Sequence, residues 1–294
     1  MKLAVLIQCH KSSKQVNELL KACAHSDIDF FIHVDSKSNI SDELLKTENV
    51  FLLPNTLRVD VQWGEFSQVI AALNLLKYAN KHAEYDYYWQ ISGQDFPIVP
   101  AQRIVDYLDS NLGANYMDLC PSLYNGAERP THFDKRVSIY YPRFMLKRNF
   151  FAKIFKKAYQ LCTGGQSNTF GIFKRKMPNQ WHPHFGSCWW CLHKDFVNYL
   201  LIQFDKNPKD FLFFKNSICS DESLIPTIFM NSPYASSLKE YLHYIDWSQH
   251  AASPKNLDAS DFQAIIHSGK FMARKINEDY ELISLLKAHI QEMV

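Results

Sequence analysis

The sequence has little glycine, little proline and no long apolar run. Only 9 of its 294 residues are glycine and 12 are proline, which excludes collagen-like and low-complexity structure. No segment reaches the ~20 consecutive apolar residues of a membrane-spanning helix, and the apolar run of residues 3–7 is too short for a signal-peptide core. With 47% hydrophobic and 21% charged residues, the composition indicates a globular protein with a large core, which we expect in the cytoplasm.

A disulfide framework and the common nucleotide and hydrolase motifs are also missing. The 7 cysteines are odd in number and irregularly spaced, which argues against disulfide pairing. Cys188 and Cys191 form a CxxC motif, which we interpret as small buried residues of a strand; a redox or zinc function is the alternative. The sequence contains no GxGxxG, GxxxxGK(S/T), HExxH or GxSxG, so dinucleotide, P-loop, zinc-protease and α/β-hydrolase chemistry are not indicated.

Acidic residues are absent from one long segment. Between Asp134 and Asp195 the chain has no aspartate or glutamate but twelve lysines and arginines, although the net charge of the whole chain is only +2. We call residues 135–194 the basic segment. A local excess of positive charge predicts an anionic partner. The sequence has no groove-reading motif, so we do not expect nucleic acid.

The basic segment contains an amphipathic helix pattern within residues 143–159. Its aromatic and aliphatic face comprises Phe150, Phe151, Ile154, Phe155 and Tyr159. The flanking basic residues are Lys147, Arg148, Lys153, Lys156 and Lys157. Two interpretations remain open: the apolar face packs into the core, or residues 143–157 make a peripheral contact with an anionic membrane.

Strand and helix patterns alternate through the first third of the chain. Apolar runs predict strands at residues 3–8, 29–34, 50–53 and 85–92, and helical spacing of apolar residues predicts helices at 14–24 and 67–78. This alternation predicts an α/β fold with a mostly parallel twisted sheet flanked by helices. Residues 8–10, 33–35 and 93–95 are polar clusters at the predicted carboxyl ends of three strands. We therefore expect them to converge on one ligand crevice.

An acidic pair precedes a helical pattern in the second half. Ser220 is a candidate N-cap for a helix over residues 223–230, and Asp221 and Glu222 would then lie in its first turn. Acids there complement the helix dipole. The alternative is that one of them is a catalytic carboxylate.

Six segments, taken in chain order, resemble a known family. They are residues 32–38 (IHVDSKS), 61–67 (VQWGEFS), 90–97 (QISGQDFP), 186–190 (GSCWW), 220–222 (SDE) and 271–275 (FMARK). The resemblance is to the Branch family, the core-2/I-branching β-1,6-N-acetylglucosaminyltransferases and peptide O-xylosyltransferases of glycosyltransferase family 14. It spans about residues 3–280.

The resemblance implies a single GT-A-like domain over residues 1–294. Residues 1–120 would form a Rossmann-like nucleotide-sugar half, and residues 121–294 an acceptor and catalytic half. The implied reaction is inverting transfer from a UDP-sugar, with GlcNAc or xylose favoured, and without a divalent metal or other cofactor. Glu222 would be the base that takes the proton of the acceptor hydroxyl.

The resemblance also assigns binding residues. Lys275 and Arg274 would stabilise the leaving diphosphate, and His243 stands where the family often has an arginine for the same group. Gln8, His10 and Asp35 would line the nucleotide pocket. The residues implied at the sugar and acceptor subsites are Trp63, Gly64, Asp95, Trp189, Trp190 and Asp221.

The sequence departs from the animal members of that family. Those proteins have an N-terminal anchor, a stem and disulfides, none of which this sequence shows. The resemblance therefore suggests a compact bacterial-type enzyme at the inner face of the cytoplasmic membrane. It would act on a glycan or lipid-linked glycan in surface polysaccharide synthesis. The alternative is a GT-A-like module that has lost catalysis and only binds a sugar nucleotide or glycan.

Overall fold

The computed structural model describes residues 1–119, 131–143, 150–162, 174–249 and 253–294. The strands are β1 (Leu3–Cys9), β2 (Ile28–Val34), β3 (Val50–Leu52), β4 (Tyr87–Ser92), β5 (Asp95–Pro97), β6 (Asn115–Leu119), β7 (Gly186–His193), β8 (Leu238–Lys239), β9 (His243–Ile245) and β10 (Met272–Arg274). The α-helices are α1 (Ser13–Ala22), α2 (Phe66–His82), α3 (Ala101–Asp109), α4 (Thr131–Ser138), α5 (Phe150–Cys162), α6 (Lys194–Lys206), α7 (Pro208–Phe213), α8 (Leu224–Met230), α9 (Phe262–Ile266) and α10 (Tyr280–Glu292).

A large sheet forms the centre of the described chain. Its strand order is β3-β2-β1-β4-β7-β6-β8, and β3, β2, β1 and β4 are mutually parallel. Strand β7 runs antiparallel to both β4 and β6. The crossovers through α1 and α2 make the first four strands a Rossmann-like unit. The predicted α/β class, with a mostly parallel sheet flanked by helices, is confirmed.

Both faces of the large sheet are buried, which explains the continuous apolar runs of its strands. In β1, Leu3, Val5 and Ile7 face one core, whereas Ala4 and Leu6 face the other. Helices α1, α3, α9 and α10 pack on the first face, and α2, α6, α7 and α8 pack on the second. The predicted helices and strands of the first third agree with the structure to within a few residues.

A second, three-stranded sheet joins the C-terminal part of the chain to the large sheet. Its strand order is β5-β10-β9, with β10 antiparallel to β5 and parallel to β9. Strand β5 begins three residues after the end of β4, so the small sheet lies at the carboxyl end of that strand. The register pairs Arg274 with Asp95, which brings residue 274 to the edge where the polar clusters end.

One sequence-based interpretation of local structure is wrong, and one alternative is not supported. Ser220 does not cap an α-helix: residues Ser220–Glu222 form a separate 3₁₀ turn, and α8 begins at Leu224. Asp221 and Glu222 therefore lie before the α-helix rather than in its first turn. The thiols of Cys188 and Cys191 are free, and burial raises the pKa of both well above the usual value. Neutral buried thiols do not support the redox or zinc alternative.

The amphipathic helix predicted in the basic segment forms as α5, but its apolar face is not in a core. Phe150 is 71% exposed, Phe151 73%, Ile154 49% and Phe155 60%. The core-packing interpretation is therefore wrong for these four side chains. Lys147 and Arg148, and the side chains of Lys156 and Tyr159, lie outside the described residues. No α-helix in the described ranges is both long enough and apolar enough to span a membrane.

Candidate active site

A cavity of about 810 Å³ opens at the carboxyl ends of β1, β2 and β4. The three polar clusters meet there: its wall includes Gln8, Cys9, His10, His33, Asp35, Gly93 and Gln94. Because β7 is antiparallel to β4, its first residues Gly186 to Trp189 reach the same edge and close one side. The convergence predicted from the strand ends is thus found in the structure.

Most of the predicted site residues line this cavity. Those on its wall are Gln8, His10, Asp35, Trp63, Trp189, Asp221, Glu222, Arg274 and Lys275. Gly64, Asp95, Trp190 and His243 are not on the wall. Asp95, Trp190 and His243 are buried, whereas Gly64 has a backbone role.

The carboxylate of Asp35 closes the loop that follows β2. The amide of Lys37 donates to Oδ1 at 2.9 Å and the amide of Val61 donates to Oδ2 at 3.1 Å. Arg58 fastens the same loop by donating to the carbonyl oxygens of Asp35 and Ser38. Asp35 therefore forms a fixed wall of the cavity, with both oxygens already accepting backbone hydrogen bonds.

Arg274 is held in place by the turn between β4 and β5. Its Nη1 donates to Oδ1 of Asp95 at 2.7 Å and to the Ser92 hydroxyl. The ring of Trp189 lies 4.2 Å from the guanidinium carbon, a cation–π contact. Asp95 is fully buried and also accepts the Ser92 amide at Oδ2, at 2.7 Å. The predicted contact of Asp95 with a sugar does not agree with this burial; the residue orients Arg274.

The side chain of His243 is also fully buried and does not reach the cavity. It stacks on Tyr241 and meets the Trp89 ring edge-on. Burial lowers its pKa to about 4, with the nearby Asp95 charge opposing that shift. A neutral, enclosed imidazole cannot neutralise a diphosphate, so the predicted diphosphate contact of His243 is wrong.

Trp190 and Gly64 have structural positions. Successive side chains of a strand point to opposite faces, so Trp189 faces the cavity while Trp190, 1% exposed, packs in the core with α2 and α6. Trp190 therefore cannot stack on a sugar. Gly64 has a φ of +73°, which favours glycine, and its carbonyl accepts the Cys219 amide at 3.0 Å. This bond ties the loop before α2 to the 3₁₀ turn that carries the acidic pair.

The two carboxyl groups of the acidic pair have different surroundings. Glu222 lies on the cavity wall, and its Oε2 accepts a hydrogen bond from Nη1 of Arg136 at 2.7 Å. Burial, reinforced by the charge of Glu222, raises the pKa of Asp221 to about 7. Within the described residues, Oδ1 of Asp221 is buried without a hydrogen-bond partner. The turn thus offers one accessible carboxylate held by Arg136 beside a second carboxyl group whose pKa is raised by burial.

Positive charge also gathers on the wall of the same cavity. Lys275 lines the wall beside Arg274, and Lys11 lines it from the loop after β1. Burial lowers the pKa of Lys275, and the charges of Arg274 and Lys11 lower it further. Neighbouring cations repel each other, and a bound phosphate anion relieves this repulsion.

Sequence reasoning missed Lys11, Asp118 and Arg136, which all line the cavity. Burial raises the pKa of Asp118 to about 6, against the charge of Lys270. Lys11 directly follows one of the predicted polar clusters, and Asp118 lies at the carboxyl end of β6, so strand-end position was an available signal for both. Arg136 carried no such signal. Across the described parts of the chain, no group of three or more His, Cys, Asp or Glu side chains could hold a metal ion.

A family model and several known proteins match this chain. The family model Branch, described as core-2/I-branching enzyme, matches residues 3–266. The chain is 23% identical over 320 residues to xylosyltransferase 2 of Rattus norvegicus, covering 99% of this chain and 34% of that protein. It is 26% identical over 227 residues to a human protein named probable beta-1,3-galactosyl-O-glycosyl-glycoprotein beta-1,6-N-acetylglucosaminyltransferase 7, covering 75% of this chain and 47% of that protein. The chain thus spans about a third of the length of the rat relative.

Two solved structures are also similar. The apo form of mouse xyloside xylosyltransferase 1 matches with a TM-score of 0.38 and 10% identity, covering 93% of this chain and 97% of that one. Residues 1–349 of S. aureus TarS match with a TM-score of 0.28 and 14% identity, covering 50% of this chain and 43% of that one.

Proposed function

The chain belongs to the Branch family of core-2/I-branching enzymes, and from this premise we propose that it is a glycosyltransferase. It moves a sugar, xylose or GlcNAc, from a UDP-sugar to a hydroxyl group of a glycan. One observation carries the proposal: an accessible carboxylate, Glu222, and the cations Arg274 and Lys275 line a single cavity. These are the two charges that inverting sugar transfer needs.

Glu222 is the proposed base. Its carboxylate takes the proton of the acceptor hydroxyl as that oxygen attacks the anomeric carbon. The bond from this carbon to the diphosphate oxygen breaks at the same time, and its electron pair leaves with UDP. Attack and departure on opposite faces invert the anomeric configuration. Arg136, which donates to Oε2 of Glu222, orients the carboxylate and leaves Oε1 for the acceptor.

Arg274 and Lys275 are the proposed ligands of the diphosphate, in place of a divalent metal. The negative charge on UDP grows as the glycosidic bond breaks, so fixed cations at this position stabilise the transition state more than the bound donor. Trp189 and Asp95 keep the Arg274 guanidinium from moving. Gln8, His10 and Asp35, at the ends of β1 and β2, form the nucleotide side of the cavity.

The second substrate is the acceptor glycan. Trp63, which is more than half exposed, and Asp221 lie on the cavity wall. Asp221 directly precedes Glu222, and the carbonyl of Gly64, next to Trp63, accepts the Cys219 amide just before the same turn, so we assign both residues to the acceptor side. The relatives named as xylosyltransferases and as an N-acetylglucosaminyltransferase support the two donor sugars. A lipid-linked glycan of bacterial surface polysaccharide synthesis is the proposed acceptor, because the basic segment favours an anionic carrier.

The first test is calorimetric binding of UDP in EDTA, followed by UDP release from UDP-xylose and UDP-GlcNAc with a panel of glycoside acceptors. Binding together with turnover is the expected result. UDP binding without turnover on any donor would favour the alternative, a module that only binds sugar nucleotides. If UDP does not bind in EDTA or in manganese, the transferase proposal is wrong.

Helix α5 supports a peripheral contact with an anionic membrane as a second part of the proposal. Its side chains Phe150, Phe151 and Ile154 are about half exposed or more. Lys153 and Lys157 are exposed on the same helix. Exposed aromatic residues next to lysines fit the boundary between headgroups and acyl chains. Such a contact would hold the protein at the surface that carries a lipid-linked acceptor.

Vesicle sedimentation tests this contact. Ile154→Ser combined with Phe151→Ser should weaken binding to vesicles that contain anionic lipid. Ile202→Ser is the matched control, because Ile202 is also 49% exposed on a helix but lies outside the basic segment. Wild-type protein that fails to bind anionic vesicles at low salt, or binds zwitterionic vesicles equally well, would contradict the membrane contact.

A further inference from the structure

The cations around the candidate diphosphate site do not contribute equally. Arg274 forms an ion pair with Asp95, at 2.7 Å, so its charge is largely compensated within the protein. The side chain of His243 is buried and does not line the cavity. A bound diphosphate carries at least two negative charges, and Lys275 alone does not match them. A second cation without a carboxylate partner near Lys275 would therefore match the diphosphate charge better than Arg274 and Lys275 alone.

Lys11 lies at this position. It lines the cavity together with Gln94 and Lys275, and it is close enough to Lys275 for its charge to lower the pKa of that ammonium. Lys11 directly follows the polar cluster at the end of β1, in the loop that enters α1. Its position is thus set by the same strand end that places His10 on the wall.

A neutral side chain holds the Lys11 ammonium. Nζ of Lys11 donates to Oδ1 of Asn277, which also accepts a hydrogen bond from Nε2 of Gln94 at 3.1 Å. Asn277 lies two residues after Lys275, so the C-terminal segment fixes both cations together. An amide fixes the position of the ammonium without cancelling its charge.

Lys37 shows the contrasting arrangement. It also lines the cavity, but its ammonium pairs with Asp60 and lies 3.7 Å from Asp35. Among the residues that the structure describes, Lys11 makes no such ion pair. Its two remaining N–H groups are therefore available to a ligand, as an ammonium has three donors.

We propose that Lys11 is a second diphosphate-binding cation of the donor site, positioned by Asn277 beside Lys275. This inference rests on the proposed function, since it assumes a UDP-sugar donor. Lys11 binds a phosphate oxygen in the donor complex and, with Lys275, stabilises the charge that UDP gains on leaving. The role adds one charge-assisted contact, which is worth about a tenfold change in affinity or more.

Calorimetry with UDP and with uridine, both in EDTA, separates a contact with the diphosphate from a structural role in the nucleotide pocket. Lys11→Gln should weaken UDP about tenfold or more and leave uridine within about twofold, because only UDP carries the phosphates. Lys11→Arg should keep most of the UDP affinity. Asn277→Ala should produce an intermediate loss. Lys14→Gln is the matched control. This substitution removes the same charge three residues away, and Lys14 does not line the cavity.

Three results would overturn the inference. Wild-type UDP affinity in Lys11→Gln would show that Lys11 does not contact the diphosphate. Equal losses of UDP and uridine would show a structural role in the nucleotide pocket. Equal effects of Lys14→Gln and Lys11→Gln would show a long-range charge effect only. Failure of the wild-type protein to bind UDP is distinguishable from all three, because it overturns the proposed function as well.

Discussion

The buried carboxylate of Asp95 accepts a 2.7 Å hydrogen bond from Nη1 of Arg274, and the two residues are opposite each other in the antiparallel pair β5–β10. They are 179 residues apart in the chain, so this ion pair joins the N-terminal sheet to the C-terminal segment. Asp95 also closes its own turn by accepting the Ser92 amide. One carboxylate therefore fixes both the turn and the cation.

Removing the Asp95 carboxylate should destabilise the fold. Asp95→Ala leaves a mostly buried guanidinium without its partner, which costs about 3 kcal/mol of unfolding free energy. Asp95→Asn should cost less, because its amide oxygen still accepts a hydrogen bond. Urea unfolding measures both values. Asp95→Ala with Arg274→Ala should be less destabilised than the sum of the single variants, and strict additivity would contradict the coupling.

Removing the proposed base should abolish transfer and spare donor binding. Glu222→Gln keeps the side-chain volume and an oxygen for Arg136 but cannot take the acceptor proton, so kcat should fall about 10²–10⁴-fold. UDP affinity should stay within about twofold, since Glu222 is assigned to the acceptor hydroxyl and not to the diphosphate. Glu240→Gln, a change at an exposed glutamate outside this cavity, is the control. Near wild-type turnover in Glu222→Gln would disprove the assignment.

The titration of Asp221 should appear in the pH dependence of stability. Its pKa is raised to about 7 by burial, from an ordinary value of 3.8, so between these values the folded state binds more protons than the unfolded state. The stability contribution is therefore fully present below about pH 4 and is lost as the pH rises through about 7. Unfolding free energies measured at about pH 5 and at about pH 8 should show Asp221→Asn gaining relative to wild type.

A constant difference between wild type and Asp221→Asn across that range would contradict the raised pKa. The same substitution at Asp195, an exposed aspartate on α6, provides a comparison with a solvated carboxylate. Unfolding is measured without substrate, so the result does not depend on the acceptor.

Chelation of metal ions should leave transfer unchanged. Lys275 and Arg274 supply the positive charge at the proposed diphosphate site, so rates in EDTA and after addition of manganese should agree within about twofold. Inorganic salt, in contrast, should weaken UDP binding because it screens these cations. A requirement for manganese would move the diphosphate to an aspartate on the cavity wall, with Asp35, Asp118 and Asp221 as the candidates.

The large sheet and the cavity could be predicted because both follow from local patterns. Apolar runs define β1, β2 and β4, and the carboxyl ends of parallel strands meet at one edge. Gly93 illustrates how tightly these ends pack: a Cβ added there would lie 2.8 Å from Cβ of Cys9 and 2.9 Å from Cγ2 of Val16. A polar residue after each strand was therefore a sufficient signal for the cavity wall.

The roles of Asp95 and His243 could not be predicted in the same way. Both are buried because β5, β9 and β10 form a sheet from segments far apart in the chain, and three-residue strands have no readable period. Asp95 lies in a recognisable motif and was interpreted as a ligand contact, whereas its partner is the side chain of Arg274. The core-packing interpretation of α5 is wrong for a different reason. Amphipathicity does not reveal whether the apolar side of a helix meets a core or a membrane.

The adjacent tryptophans of β7 give the sharpest test of the predicted and observed placements. Trp190→Ala should lower the unfolding free energy by about 3–5 kcal/mol, because it empties a core position, while the folded fraction binds UDP normally. Trp189→Leu should cost less stability but weaken UDP, because the Arg274 guanidinium loses the ring 4.2 Å away, a contact worth about 0.5–2 kcal/mol. Urea unfolding and calorimetry on the same two variants separate the effects. If Trp190→Ala weakened UDP more than Trp189→Leu in fully folded protein, the assignment of Trp189 to the cavity and Trp190 to the core would be wrong.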